Sequence, residues 1–249
     1  MKILFLFFLL FNLLSSGEKK IFKFHYTEKP PKIDGDISEW EEKNFYEIKI
    51  EDDIFGKVSG KWDEEFIYLA FKIFDTSPMK NSGEDPKTCF KYGDTVEFFI
   101  CTDKNYNFEN KISSTHYRIL FTYLKGKKVI YCFKPVEENS KNPVYFSSPA
   151  GNIRIDWTGY IEKADMEIKI GKDFYTLEIK IPVSFFKNFK VKKGDRYAGD
   201  FAINFSDDSG TINVLKVYWN EEYGGIVNDL PTEQKIEPAK WGIFEFCGK

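Results

Sequence analysis

Apolar residues along this chain recur at alternate positions in short runs, and Gly, Pro, Asn and Asp bound the runs. That two-residue rhythm marks half-buried β-strands, and the 3.6-residue rhythm of amphipathic helices is scarce. Phe45–Ile50 alternates and predicts a strand. Gly56–Trp62 and Phe66–Phe74 predict a hairpin across Asp63-Glu64-Glu65. In its second arm Ile67, Leu69, Phe71 and Ile73 share one face, and Tyr68, Ala70 and Lys72 share the other. Thr95–Cys101 continues with Val96, Phe98 and Ile100 on one side, and Tyr117–Leu124 with Val129–Phe133 predicts a hairpin over Lys125-Gly126-Lys127. Ile153–Trp157, Ala164–Ile170 and Phe174–Pro182 read as a meander; Arg196–Phe205, Leu215–Tyr218 and Trp241–Phe246 close the chain. Strands this closely spaced predict an all-β, antiparallel, jelly-roll-like sandwich in a single domain. Pro182–Phe186 predicts a short helix, because Pro fits a first helical turn. Asp75–Tyr92 and Glu137–Asn152 read as long loops, which in a compact domain are functional or mobile.

The start of the chain has a different pattern. Met1-Lys2 precedes an apolar run from Ile3 to Leu14, then Ser15-Ser16-Gly17 and charged Glu18-Lys19-Lys20. This is the form of a secretory signal, shorter than the roughly 20 apolar residues of a membrane span. The expectation is a signal peptide over 1–17, a β-sandwich domain over 18–249, and a secreted protein without a stable membrane span in its mature part. Four cysteines (Cys89, Cys101, Cys132, Cys247) permit two disulfides in an exported protein or four buried thiols, and no CxxC motif suggests zinc. The net charge of −3 on 249 residues, with acids and bases interleaved, argues against nucleic-acid binding and against a polybasic membrane binder.

Three segments lie in a telling order: Pro31-Lys32-Ile33-Asp34-Gly35 with Trp40, Trp62-Asp63 before Ile67-Tyr68-Leu69-Ala70-Phe71, and Asp94-Thr95-Val96-Glu97. Thr176–Pro182, Gly194-Asp195-Arg196-Tyr197 with Asn204-Phe205-Ser206, and Pro238-Ala239-Lys240-Trp241-Gly242 follow. The collinear set resembles family 9 carbohydrate-binding modules over nearly all of the mature chain. The resemblance implies a sandwich that grips a poly- or oligosaccharide between aromatic rings, without catalysis. Such modules are often attached to xylanases and other polysaccharide-degrading enzymes, so a glycoside hydrolase is the implied partner. Some members carry structural calcium; here Asp34, Asp36, Asp75, Asp94, Asp207 and Asp208 are the acidic loop residues it would draw on, although turn-forming Asp is the commoner explanation.

Sugar binding needs flat apolar surfaces for the C–H faces of a pyranose and charged or amide groups for its hydroxyls. By resemblance the polar pair is Glu97 and Arg118, on neighbouring predicted strands, and the late stacking ring is Trp219, with Asn220 beside it. The family often has Trp where this chain has Lys91, so Tyr92 or Phe90 is the substitute for the other wall. Trp62 and Trp241 read as structural anchors, and Trp40 as the residue that packs the N-terminal segment down. Asn204-Phe205-Ser206 fits a glycosylation acceptor but falls inside a predicted strand.

Three other functions compete. A glycoside hydrolase needs two carboxylates facing one cleft, and Asp94 and Glu97, three apart on a strand, project to opposite faces. A haem-binding sandwich needs axial His or Met, and the mature part offers only His25, His116, Met79 and Met166, without a ligation motif. A surface scaffold with the fold but no sugar site is the third.

Overall fold

The structure is a computed structural model that describes residues 19–77, 79–149, 151–220 and 235–248. The expected signal segment lies outside the described residues. Among those described there are fifteen strands: β1 (Ile21–Tyr26), β2 (Tyr46–Ile50), β3 (Asp53–Trp62), β4 (Phe66–Phe74), β5 (Thr95–Cys101), β6 (His116–Leu124), β7 (Lys127–Lys134), β8 (Val144–Ser148), β9 (Gly151–Ile155), β10 (Trp157–Tyr160), β11 (Asp165–Ile170), β12 (Phe174–Pro182), β13 (Arg196–Ser206), β14 (Asn213–Tyr218) and β15 (Gly242–Cys247).

One hydrogen-bonded path runs β10-β7-β6-β5-β13-β15-β1-β3-β4-β12-β11, with β14 beside β13 and β2 beside β3. The path turns at β13. Its first residues, Arg196–Gly199, pair with β15, whereas Gly199–Asn204 pair with β5. An eleven-residue strand thus serves both layers. Between the layers the alternating apolar residues meet in one core: Val96, Phe98, Ile119 and Phe121 from one side, Leu69, Phe71, Leu177 and Ile179 from the other, with Phe201 and Phe244 at the junction. Burying each of these side chains contributes roughly 1.5–3 kcal/mol.

The sequence reading differs from the structure at four places. First, β1 went unmarked; it inserts between β15 and β3 and runs parallel to both, so the sandwich is not wholly antiparallel. Phe22 and Phe24 are buried there, and Gly60 on β3 makes room, since a Cβ at that position would stand 2.5 Å from the Phe24 ring. Second, the loop Glu137–Asn152 contains β8, which pairs with β9 as a separate hairpin. Third, the helix at Pro182–Phe186 is a single 3-10 turn, Val183–Phe185. Fourth, Ile153–Trp157 divides at Asp156 into β9 and β10. All four cysteines are free thiols, three of them buried.

The outer face of β12 explains the N-terminal motif. Glu178 points away from the inter-sheet core yet is fully buried, because the segment from Pro30 to Trp40 lies over it. Its Oε2 accepts the backbone N–H groups of Asp34 (3.0 Å) and Gly35 (2.9 Å), and its Oε1 accepts the Trp40 indole N–H (2.7 Å). The Thr176 hydroxyl donates to the Gly35 carbonyl at 2.6 Å. Gly35 sits at φ +77°, and a Cβ would come 2.9 Å from the backbone of Ile168 and Lys169; only glycine fits that approach. Trp40 packs with Tyr68 and Ala70 in a small apolar cluster outside the sheet. Glu178→Ala strands three donors, each costing about 1–3 kcal/mol when left buried and unsatisfied. The expected result is a loss of about 3 kcal/mol in urea unfolding, with protease cleavage appearing within residues 27–45; an unchanged midpoint contradicts this role.

Candidate functional site

The other layer also has an outer face, and there the alternation of β5, β6, β13 and β14 gathers polar groups. Val96, Phe98 and Ile100 point into the core, which turns Thr95, Glu97 and Phe99 outward. Arg118 stands opposite Phe99 across the β5–β6 ladder, one pleat from Glu97. On the other flank Ala202 pairs with Glu97 and Asn204 with Thr95, and Lys216 on β14 pairs with Asn204.

The Glu97 carboxylate is the centre of this face. Arg118 holds it with two parallel bonds, Nε to Oε2 and Nη2 to Oε1, both 2.8 Å. Oε1 also accepts from Asn204 Nδ2 at 2.6 Å and Lys216 Nζ at 2.9 Å. Three of these bonds fall on Oε1 and one on Oε2. Glu97 is 0 % exposed and Arg118 2 %. The guanidinium is walled by the rings of Phe90 (5.2 Å), Phe133 (5.7 Å) and Phe99 (5.9 Å). The Lys216 ammonium lies 5.1 Å from the Tyr218 ring and 5.6 Å from Phe99, and its side chain is 17 % exposed. Burial opposes ionisation of Glu97, but the neighbouring Arg118 and Lys216 charges outweigh it and hold the carboxyl down at about 2. Burial likewise works against the Arg118 charge, and Glu97 overcomes it, keeping the guanidinium above its ordinary value.

The structure thus brings Glu97 and Arg118 together and adds Asn204 and Lys216, which the sequence reading passed over. Their signal was parity: Lys216 alternates with core Val217, and Asn204 with core Ile203 and Phe205. Asn213 joins the same face through a bulge between Phe205 and Ser206, which sets it opposite Ser206. Its Nδ2 donates to the Phe90 carbonyl at 2.5 Å, and its buried Oδ1 has no hydrogen-bond partner among the described residues.

Two expectations for the stacking walls and one for an amide beside them require correction. Trp219 is 2 % exposed and packs in the core against Phe22 (5.7 Å), Phe201 (6.0 Å) and Phe244 (6.2 Å). It shares the parity of Val217, so the strand that turns Lys216 and Tyr218 outward turns Trp219 inward. Asn220 is committed to backbone: Oδ1 accepts from Lys20 N–H (3.1 Å), and Nδ2 donates to the Lys240 carbonyl (2.6 Å). Phe90, in the 3-10 segment Pro86–Lys91, is buried between Arg118, Phe133 and Phe146 and presents no free wall. Tyr92 follows that segment with 37 % of its surface exposed. Trp241 contacts Phe99 at 5.7 Å and His116 at 5.7 Å, closing the far side of the face as a structural anchor.

Among the described residues, no three His, Cys, Asp or Glu side chains converge. Asp34 accepts from Asp36 N–H, Asp36 from Ser38 N–H and Asp75 from Ser77 N–H, each as a local turn. Asp207 caps its own loop through the N–H groups of Thr211 (2.7 Å) and Ile212 (3.0 Å). Asp94 joins two loops, accepting from Lys80 N–H and from Ser206 N–H and hydroxyl, all at 2.7 Å. Of the candidates for haem ligation, Met79 and Met166 belong to the apolar core, and His116 Nδ1 accepts from Ser113 N–H at 3.1 Å.

Because the Glu97 carboxyl is held at about 2 in the fold, against an ordinary 4.5, it stabilises the protein fully above pH 4.5. That contribution is lost as pH falls from 4.5 towards 2. Glu97→Gln removes the anion that the buried Arg118 guanidinium and the partly exposed Lys216 ammonium share, at a cost of about 3–5 kcal/mol near neutrality. Urea unfolding at stepped pH is expected to show this loss together with a flatter acid limb between pH 5 and 2. An acid limb as steep as that of the parent protein contradicts the assignment.

No curated protein matches this chain. Among solved structures, a family 9 carbohydrate-binding module from Caldicellulosiruptor kristjanssonii, in complex with glucose, superposes with TM-score 0.58 at 19 % identity, covering 92 % of this chain and 97 % of that one. The cellotriose complex of a family 9 module from the same organism gives TM-score 0.58 at 19 % identity, with 92 % and 95 % coverage. A carbohydrate-binding protein from Bacteroides uniformis, described as putative, gives TM-score 0.51 at 14 % identity and covers 92 % and 100 %. These likenesses establish the shared fold. The family model for the carbohydrate family 9 binding domain-like proteins matches residues 34–246, which takes in both buried glutamates, and this chain belongs to that family.

Proposed function

We propose that this protein is a non-catalytic carbohydrate-binding module, exported, that holds a poly- or oligosaccharide of glucan or xylan type on the outer face of β5, β6, β13 and β14. The observation that carries the reading is the Glu97–Arg118 couple, with Asn204 and Lys216, set in one aromatic-walled face of a family 9 chain. The family membership and the glucose and cellotriose held by the Caldicellulosiruptor modules support the ligand class.

The roles follow from exposure and valence. Glu97, with four donors, serves as the counter-ion that positions Arg118, Asn204 and Lys216. Lys216 is the charged member that reaches solvent, and its ammonium donates to sugar hydroxyls. Tyr92 supplies the exposed ring, in place of the Trp that the family often has at the position of Lys91. With Trp219 in the core, stacking from that side falls to Tyr218, which is partly exposed beside Lys216. Aromatic faces suit the C–H surface of a pyranose, and charged donors make the stronger bonds to its hydroxyls.

The Asp94 carboxylate is engaged with Ser206 and Lys80, and Glu97 with four donors, an arrangement unlike the two carboxylates facing one cleft that a glycoside hydrolase uses. A place beside a polysaccharide-degrading enzyme suits a binding module of this kind. No helix among the described residues is long and apolar enough to cross a membrane.

In titrations with cellotriose and xylotriose, Lys216→Ala is expected to weaken binding at least about tenfold, equivalent to 1.4 kcal/mol. Tyr92→Ala is expected to cost about 0.5–1.5 kcal/mol. Unchanged affinity in both folded variants removes this face from the proposal. Incubation with soluble xylan or glucan is expected to release no reducing sugar; sustained release points to a hydrolase instead.

A further inference from the structure

The N-terminal strap from Pro30 to Trp40 covers only part of the outer face of β4, β12 and β11. At the end of that face a cleft of about 400 Å3 opens, and Pro30, Glu65, Phe66, Tyr68, Asp165 and Lys180 are among the residues that line it. Ligand sites commonly occupy roughly 300–1,000 Å3. Its floor is one row across three strands, in which Tyr68 pairs with Lys180 and Lys180 with Asp165. The sandwich separates this floor from Glu97, which faces outward from the opposite layer.

The lining has both the apolar and the polar elements that a sugar needs. Phe66 is partly exposed, and the Lys180 ammonium stands 5.8 Å from its ring centre. Tyr68 belongs to the lining, and its hydroxyl donates to Asp63 Oδ2 at 2.8 Å, which leaves the oxygen able to accept. Among the described residues, neither the Lys180 ammonium nor the Glu65 carboxylate makes a salt bridge. Donor and acceptor of opposite charge, both uncommitted, flank an aromatic and a proline surface. An anion meets Glu65 and Asp165 there, and a cation meets Lys180. A neutral polyhydroxylated ring satisfies all three groups.

We propose that this cleft is a second saccharide site, with one sugar ring against Phe66 and the exposed Pro30 and its hydroxyls on Lys180, Glu65 and Tyr68. The ligand class rests on the carbohydrate reading of the chain, but the residues are entirely separate from those around Glu97. With sites on opposite outer faces, one module bridges two saccharide chains.

Backbone amide shifts of the 15N-labelled protein, titrated with cellotriose and with xylotriose, test both faces at once. The expected result is two groups of shifting amides, one around Tyr68, Lys180 and Asp165 and one around Glu97 and Lys216, each with its own isotherm. The double variant Glu65→Ala, Lys180→Ala is expected to weaken the first group at least tenfold and leave the second unchanged; Lys216→Ala does the reverse. Shifts confined to the Glu97 face overturn the second site and leave the first. Shifts confined to the cleft overturn the first site and leave the second. No shifts on either face with either sugar overturn both.

Discussion

A carboxylate with no access to water must be met by donors, and that constraint organises both outer faces of this sandwich. Glu97 and Glu178 each sit on a strand in the outward phase, and each is fully buried by what lies over it. Their solutions differ. Glu178 is met by neutral N–H groups from the N-terminal segment, which fastens that segment to the sheet. Glu97 is met by two cations and an amide from three different strands. The first arrangement is a latch for the fold. The second concentrates charge and directed donors on one face, which is what recognition of hydroxyls requires.

Desolvation makes the second arrangement expensive, and a buried ion pair is weak evidence for stability in its own right. The Glu97 cluster couples β5 to β6 on one flank and to β13 and β14 on the other, so its geometry follows from strand register. Phe90, Phe99 and Phe133 then fix the plane of the guanidinium. Both the register and the ring contacts depend on the inter-sheet core beneath, where Phe98, Phe201 and Phe244 stack within 6 Å of one another. The core therefore sets the site indirectly, by fixing which residues of each strand face outward.

That dependence explains what the sequence made legible. Period-2 alternation located most of the strands, with β4, β5 and β12 at their observed limits, because their inner faces are unbroken rows of Ile, Leu, Val and Phe. It also set Glu97 and Arg118 on one outer face. The same rule, applied through Val217, assigns Trp219 to the core, and the family pattern led away from it. Local alternation sets Phe22 and Phe24 on one face of β1, but it could not reveal the strand's partners, which lie 36 and 222 residues further along the chain and pair in parallel. Nor could it foresee that outward-facing glutamates would be buried, since the covering segments come from remote parts of the chain. The bulge at Phe205/Ser206, which brings Asn213 to the site face, has no glycine to announce it.

The most direct test is a crystal structure of the protein grown with cellotriose. The account predicts a pyranose ring on the outer face of β5, β13 and β14, with a hydroxyl within hydrogen-bond distance of Lys216 Nζ and the Glu97–Arg118 pair intact beneath it. A well-ordered crystal at saturating sugar with no ligand on that face contradicts the account.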